Sequence, residues 1–178
     1  GGTLIPMRDT IRAALVQHPD GYLSREEPWL RNNYSLDLSA GHRYAVNTWS
    51  KVSLQPEQLQ SESVELAVLD YRTITNPNMS GTVTLHADKD GTAHGLLLWF
   101  DADLAPGIGY SNAPGQPKLV YGQSFFPFER PLTLAKGDRV EATVKANLID
   151  GSYVWSWTSR LFRGTAVKPE LTLRQSSF

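Results

Sequence analysis

The stretch RVEATVKANLIDGSYVWSWTSRL, from Arg139 to Leu161, decides the fold class of this chain. In its first half, from Val140 to Leu148, small apolar side chains alternate strictly with polar ones. In its second half aromatic side chains alternate with smaller ones. A period of two is typical of a β-strand that buries one face. Asp150-Gly151 lies between the halves and is a strong hairpin signal. The stretch therefore predicts two antiparallel strands joined by a tight turn.

Further strands are predicted on the N-terminal side of this hairpin and after it. The candidates are residues 10–16, 64–71, 82–87, 93–101, 118–126 and 170–174. The Asp88–Gly91 turn predicts that 82–87 and 93–101 pair as a second hairpin. Pro127 and Pro131 are expected to end the strand before them, and residues 135–138 are expected to form the next turn. Many short strands with regular turn signals are typical of a barrel or sandwich.

We therefore predict a single all-β domain over residues 1–178, mainly antiparallel and barrel-like. Residues 25–60 are polar and interrupted by Pro28, Gly41 and Pro56, so we interpret them as an excursion inserted into the domain. A short helix is predicted within residues 47–59, since proline is well tolerated in a first helical turn. Residues 164–178 are predicted to form a tail, as a late strand or a mobile end.

The composition excludes several classes of function. The chain has 178 residues and no cysteine, so it forms no disulfide and has no thiolate nucleophile or cysteine metal site. The formal net charge of -1 gives no electrostatic reason to expect nucleic acid or an anionic membrane as a partner. No apolar run is long enough for a membrane-spanning helix. These features favour a cytoplasmic location. Residues 1–6 carry neither a signal peptide nor an initiator Met, so we expect a piece of a longer protein.

Several patterns resemble sites of chemistry, and each has a structural explanation. Asp88, Asp90 and Gly91 resemble a calcium loop, but the required glutamate is absent and a turn is favoured. Asp101 and Asp103 share a strand face without a third ligand nearby, which favours surface carboxylates. His94 is expected to be a hydrogen-bonded core histidine, because the four histidines lack metal-ligand spacing.

The five tryptophans leave two interpretations open. Exposed tryptophans on a β-sandwich could stack on sugars or peptides, which would make the chain a non-catalytic binding module. Alternatively, the rings fill a large core, where each aromatic side chain buries roughly 150–250 Å². The second interpretation is favoured.

An ordered set of motifs resembles the C-terminal barrel of protein arginine N-methyltransferases and covers nearly the whole chain. His94–Asp101 is similar to the family's H-G-x-x-x-W-F-D strand, and Tyr110–Pro114 to its S-T-x-P turn. The other matching pieces are Gly2–Pro6, Asn33–Leu38, Gln123–Phe126 and Lys136–Asp138.

The resemblance implies an S-adenosylmethionine-dependent methyltransferase as the parent protein. In the family, the cofactor loop and the two glutamates that hold the acceptor precede the barrel. No catalytic, cofactor-binding or metal residue is therefore carried over to this chain, and the fragment alone is expected to be inactive. A parent with a different acceptor, or one that has lost activity, stays open.

The barrel of the family contributes a Thr-His-Trp loop that closes the substrate pocket. The matching residues here are Leu119, Val120 and Tyr121, so valine replaces the histidine and can neither donate a hydrogen bond nor carry charge. Val120, Tyr121 and Gln123 are the expected wall of the substrate pocket. The family also implies a dimerisation arm within 25–60, a homodimer of the full-length protein, a missing N-terminal methyltransferase domain as partner, and a protein or peptide substrate.

Overall fold

The computed structural model describes residues 4–26, 28–31 and 35–177. Gly2, Thr3, Asn33 and Tyr34, which carry part of the resemblance, lie outside the described residues. The described chain forms ten strands and three short helices. In chain order they are β1 (Arg8–Val16), α1 (Pro19–Glu26), α2 (Pro28–Arg31), α3 (Ser39–Val46), β2 (Ser50–Val52), β3 (Val64–Asp70), β4 (Met79–His86), β5 (Gly91–Ala105), β6 (Ile108–Ser111), β7 (Gln123–Leu134), β8 (Arg139–Ile149), β9 (Ser152–Phe162) and β10 (Leu171–Ser176).

The strands form two sheets in which every paired neighbour is antiparallel. The first sheet has the order β2-β7-β5-β1-β3, with β6 pairing the end of β5, and the second has the order β10-β9-β8-β4. The all-β, mainly antiparallel class is therefore confirmed. The expected barrel is not closed, because among the described strands no ladder joins the edge of one sheet to the edge of the other.

The β8–β9 hairpin forms as predicted. Its ladder runs from Arg139 opposite Phe162 to Ile149 opposite Ser152. Asp150 and Gly151 both take positive φ, 48° and 82°, the combination that lets a two-residue turn match the twist of its strands. The late strand is also confirmed, since β10 pairs with β9.

The predicted hairpin between residues 82–87 and 93–101 is wrong. β4 pairs with β8 in the second sheet, whereas β5 pairs with β1 and β7 in the first. The turn between them crosses from one sheet to the other. The turn does not close a hairpin because its backbone amides donate hydrogen bonds to other segments of the chain. Ala87 N donates to Asp138 O at 2.8 Å, and Asp88 N donates to Gln60 O at 3.0 Å.

The prediction for residues 118–126 is also wrong at both ends. Residues 118–122 form a loop, and β7 continues through Pro127 and Pro131 to Leu134. The prolines are tolerated because β2 pairs only with the first three residues of β7, Gln123 to Phe125. Beyond that point β7 has a single neighbour, and a proline on an edge needs no N–H donor on its open side.

In and just before the segment interpreted as an excursion, the helices lie nearer the N-terminus than predicted. The three helices lie between residues 19 and 46. Within residues 47–59 the predicted short helix forms only as one 3-10 turn, Pro56–Gln58, which follows β2. The proline does occupy the first turn, as its fixed φ favours.

The main hydrophobic core lies between the two sheets. It includes Phe126 and Phe128 from the first sheet and Val144 and Trp157 from the second. A smaller cluster covers the outer face of the first sheet, where Trp99 and Phe125 pack under Leu54. Both faces of β5 are therefore buried, which explains its nearly continuous apolar run.

Candidate functional site

The loop of residues 112–122, between β6 and β7, carries the predicted pocket wall. Two buried amide side chains fix its ends. Asn112 Oδ1 accepts a hydrogen bond from Phe100 N, and Asn112 Nδ2 donates to Gly122 O, both at 2.8 Å. The side chain of Asn112 therefore links the start of the loop, after β6, to its end, before β7. Sequence reasoning missed Asn112, whose only signal was its place within the Tyr110–Pro114 motif.

Gln123 lies at the foot of this loop and is buried. Its Oε1 accepts from Leu54 N, and its Nε2 donates to Asn112 O, both at 2.8 Å. Each end of the amide is thus engaged by backbone. Gln123 lines a cleft of about 610 Å³ beneath the loop, together with Gln55 and Lys118. Its arrangement suits holding the loop in place more than contacting a ligand.

Unlike the buried Gln123, Val120 and Tyr121 are 77% and 55% exposed. Lys51 Nζ donates to the Val120 carbonyl at 2.5 Å, which ties the loop tip to β2. Val120 and Tyr121 therefore turn their side chains to solvent while the backbone is held.

Tyr121 belongs to a cluster of three aromatic rings. Its ring lies nearly parallel to that of Tyr110, with centroids 6.3 Å apart and an angle of 21°. The Phe100 ring stands edge-on to both, with each pair of centroids 5.8 Å apart. An apolar cavity of about 240 Å³ adjoins the cluster, and Trp49 and Trp99 help to line it. Such a surface can contact an apolar, aromatic or cationic group.

His94 is buried and hydrogen-bonded, as predicted. Its Nδ1 accepts from His18 N at 3.3 Å, at the point where the chain enters α1. Burial is the main cause that lowers the pKa of both His18 and His94 below the usual range, and His18 itself further lowers the pKa of His94. Tyr22 of α1 stands against His94, with ring centroids 5.6 Å apart.

The remaining sequence candidates have structural roles. Asp101 and Asp103 form ion pairs with Arg12 and Arg8 across the β1–β5 ladder, with N···O distances of 2.9 Å for both Nε atoms. Asp90 lies in a turn, as predicted, and accepts from Lys136 N at 2.7 Å. Within residues 4–26, 28–31 and 35–177 no group of three His, Cys, Asp or Glu is placed to hold a metal ion.

The tryptophans divide between core and surface. Trp157 and Trp99 are buried, and Trp155 packs against the main core. Trp29 and Trp49 are more than a third exposed. Trp155 and Trp157 therefore support the core interpretation, and Trp49 also stacks on the buried ring of Phe126. In the part of the chain that the structure describes, no helix is long and apolar enough to cross a membrane.

Comparisons with known proteins agree with the fold. The model of the family described as arginine methyltransferase oligomerization subdomain matches residues 8–157. The arginine N(omega)-methyltransferase of Streptomyces achromogenes subsp. streptozoticus is 29% identical over 144 residues, 77% of this chain and 38% of that protein. Protein arginine N-methyltransferase 8-B of Danio rerio is 23% identical over 154 residues, 83% of this chain and 36% of that protein. The chain thus spans little more than a third of these relatives.

Two solved structures share the fold. One is the Trypanosoma brucei PRMT1 enzyme-prozyme heterotetrameric complex with AdoHcy, with a TM-score of 0.80 and 14% identity over 99% of this chain and 59% of that one. The other is Arabidopsis thaliana protein arginine methyltransferase 10, with a TM-score of 0.77 and 14% identity over 97% of this chain and 60% of that one. Since the family model matches residues 8–157, most of the chain, this protein belongs to the arginine methyltransferase oligomerization subdomain family.

Proposed function

We propose that this chain is the substrate-binding and dimerisation part of an S-adenosylmethionine-dependent methyltransferase that acts on an arginine side chain or free arginine. The observation that carries the proposal is the family match over residues 8–157, which includes the whole 112–122 loop. The relative from Streptomyces achromogenes is named for methylation of arginine, and this acceptor is carried over to the present chain. A cytoplasmic location, which the absence of cysteine favours, is part of the proposal.

The chain would contribute one wall of the acceptor pocket. Val120 and Tyr121 are exposed on a loop whose two ends are held by Asn112 and Gln123. A wall held in this way can position an acceptor without moving during turnover, and positioning supplies much of the rate in a displacement reaction. Valine in place of the family's histidine makes this wall apolar, so the acceptor nitrogen would be oriented by carboxylates outside this chain.

S-adenosylmethionine would supply the methyl group from the missing methyltransferase domain. The described residues that line the clefts beside the loop are mostly apolar or amide-bearing, with Lys51 and Lys118 as the charged ones. They contain no acidic residue of the kind that holds a ribose. We therefore assign the cofactor to neither of these clefts.

The proposal is tested with the full-length protein that contains this chain. Methyl transfer from radiolabelled S-adenosylmethionine to free arginine and to an arginine-containing peptide is measured for the unaltered protein, Tyr121→Ala and Val167→Ala. Val167 is also exposed, but lies between β9 and β10. We expect Tyr121→Ala to lower kcat/KM by about tenfold or more, and Val167→Ala to leave it unchanged. Absence of transfer to either acceptor, or equal effects of the two variants, contradicts the proposal.

A second measurement tests whether this chain binds the cofactor by itself. Titration calorimetry of the 178-residue chain with S-adenosylmethionine is expected to give no binding in the micromolar range. A micromolar Kd would mean that the cofactor site lies at least partly in this chain.

A further inference from the structure

The outer edge of β10 has no neighbouring strand in the described part of the chain. β10 pairs with β9 in continuous register and is the last strand of its sheet. Ser177 N donates to Trp155 O at 2.7 Å in the same register. Because the backbone groups of successive residues in an antiparallel strand face opposite sides, the N–H and C=O groups of Thr172, Arg174 and Ser176 point away from β9.

Two of these residues leave their outward backbone groups unpaired. Ser176 N donates to Asn47 Oδ1 at 2.9 Å, which occupies the C-terminal end of the edge. The N–H and C=O groups of Thr172 and Arg174 form no hydrogen bond with any residue that the structure describes. Alternating donors and acceptors along an extended backbone are a template for a further strand.

β7 runs beside this edge without filling it. Among the described strands β7 and β10 form no ladder, and side chains bridge them instead. Arg163 Nη1 donates to Thr133 O at 2.7 Å, and Gln175 Nε2 donates to Pro127 O at 3.0 Å. Pro131 lies between the two bridged residues of β7 and has no N–H. An added strand would therefore pair with β10 and not with β7.

The other side of the sandwich has no comparable gap. Ser61 and Ala87 form an isolated β-bridge there. A Cβ on Gly81 of β4 would lie only 2.1 Å from Leu66 O of β3, so these two edges touch. The edges of β3 and β4 therefore meet, whereas β7 and β10 leave a space between them.

A cavity of about 300 Å³ lies in this space. Leu161 of β9 and Leu171 of β10 help to line it, and both contact the main core. Because side chains alternate along a strand, Leu171 and Leu173 face inward while Thr172 and Arg174 face the outer surface. A strand added beside β10 would place every second side chain toward the cavity, where small apolar groups fit, and the others on the outer surface.

Unpaired positive charges flank the cavity. Arg130 lines it, Arg174 lies on the β10 edge, and both are exposed. Neither guanidinium forms an ion pair or a hydrogen bond within the described residues. Glu170 also lines the cavity, but its carboxylate is paired with Arg163 Nε at 2.9 Å, and Glu129 is not among the lining residues. Acidic side chains on the outer face of an added strand would pair with the two free arginines.

We propose that the β10 edge binds an acidic, extended peptide segment of a partner protein by strand addition. Its backbone would pair with Thr172 and Arg174, its alternate apolar side chains would enter the cavity, and its acidic side chains would lie beside the two arginines. Main-chain hydrogen bonds supply the affinity of such a complex, and side chains supply its specificity. The site lies toward the opposite end of β7 from the Val120–Tyr121 wall, and the proposal does not depend on methyl transfer.

The test uses the 178-residue chain and a blocked hexapeptide in which glutamate and valine alternate. NMR titration measures binding, and hydrogen exchange of the Thr172 and Arg174 amides reports on pairing. We expect saturable binding and about tenfold slower exchange of both amides at saturation. The matched peptide with lysine in place of glutamate should bind about tenfold more weakly. No binding of the glutamate peptide, equal binding of both peptides, or unchanged exchange at saturation overturns the proposal.

Two N-methylated peptides test whether the peptide backbone pairs with β10. Only alternate N–H groups of an added strand face its neighbour. Methylation of one set of nitrogens, either those of the glutamates or those of the valines, should therefore weaken binding by about tenfold. Methylation of the other set should have a much smaller effect. Equal effects of the two methylations would exclude strand addition.

Charge reversal on the edge tests the acidic class of the ligand. Arg174→Glu should shift the ratio of the two affinities about tenfold toward the lysine peptide. Lys145→Glu makes the same change at an exposed position of β8 in the same sheet, and should leave the ratio unchanged. If Arg174→Glu fails to fold, Arg130→Glu replaces it and should shift the ratio in the same direction. An unchanged ratio in the folded variant contradicts the proposal.

Discussion

Buried amide side chains determine the shape of the 112–122 loop. Asn112 bonds to Phe100 and Gly122, and Gln123 bonds to Leu54 and to Asn112 itself. Backbone groups that would otherwise lack partners are satisfied without any regular structure in the loop. The side chains of the exposed residues Val120 and Tyr121 can therefore adapt to a ligand while the backbone of the loop stays fixed.

Replacement of Asn112 by alanine should destabilise the protein. Phe100 N–H and Gly122 C=O would lose their partners, and an unpaired buried backbone group costs about 1–3 kcal/mol. Urea unfolding of Asn112→Ala measures this loss. Asn147→Ala, at an exposed position of β8, is the control and should change the free energy of unfolding by less than about 0.5 kcal/mol. Equal stability of both variants would mean that water replaces Asn112 without cost.

Trp99 tests the packing of the outer face of the first sheet. It is buried against Leu97 and Phe125, so Trp99→Ala should lower the free energy of unfolding by about 3–5 kcal/mol. The comparison is Trp49→Ala, whose side chain is more than a third exposed and should cost less. Denaturant unfolding followed by circular dichroism gives both values. A cost below about 1 kcal/mol for Trp99→Ala would contradict its place in the core.

At the scale of elements, α1 is joined to the first sheet by a small latch of His18, Tyr22 and His94. His94 accepts from His18 N, and Tyr22 donates from its hydroxyl to Glu129 O at 3.2 Å. Tyr22 is the buried residue of α1 among those whose side chains are described. The helical segment is thus anchored at its start, and at its other end Val46 is buried and its carbonyl accepts a hydrogen bond from Gln175 Nε2 at 2.6 Å.

The latch should make stability depend on pH. Burial lowers the pKa of His18 and His94 in the folded chain, with Asp20 acting in the opposite direction on His18 and Arg25 in the same direction. Below about pH 6.5 the unfolded chain therefore takes up protons that the folded chain does not. The free energy of unfolding should fall as the pH drops from about 6.5 toward the lowered values, and stay level above.

His94→Gln is the variant that tests the cause of this dependence. Glutamine keeps an acceptor but does not titrate, so the fall between pH 6.5 and 5 should be shallower than in the unaltered chain. His86→Gln, at an exposed position of β4, is the matched control. An identical slope for His94→Gln and the unaltered chain would show that other groups cause the dependence.

At the scale of the whole molecule, the helices between residues 19 and 46 expose large apolar side chains. Leu30 and Tyr44 are both more than half exposed. We propose residues 25–60, which overlap this helical segment, as the dimerisation arm, in line with the family's description as an oligomerization subdomain. Exposed apolar side chains on one element are typical of a surface that another protein covers.

Light scattering should find the 178-residue chain monomeric and the full-length protein dimeric. In the full-length protein Leu30→Asp should shift the equilibrium to monomer, because a charge would be buried in an apolar interface. Ile108→Asp, at an equally exposed position of β6, should leave the dimer intact. We propose that the arm docks on the methyltransferase domain of a second subunit, and a tight dimer of the 178-residue chain at low micromolar concentration would contradict this proposal.

The sequence by itself determined most of the strands, their antiparallel class and the turn at Asp150-Gly151, because alternation and positive φ are local properties. The ordered motifs determined the family. Only the tertiary structure decided that β4 pairs with β8 and not β5, and that β7 passes two prolines at an edge. It also decided that, among the described strands, the outer edge of β10 has no neighbour and that both ends of the Gln123 amide are occupied. Each of these depends on contacts between residues far apart in the chain, which no local pattern encodes.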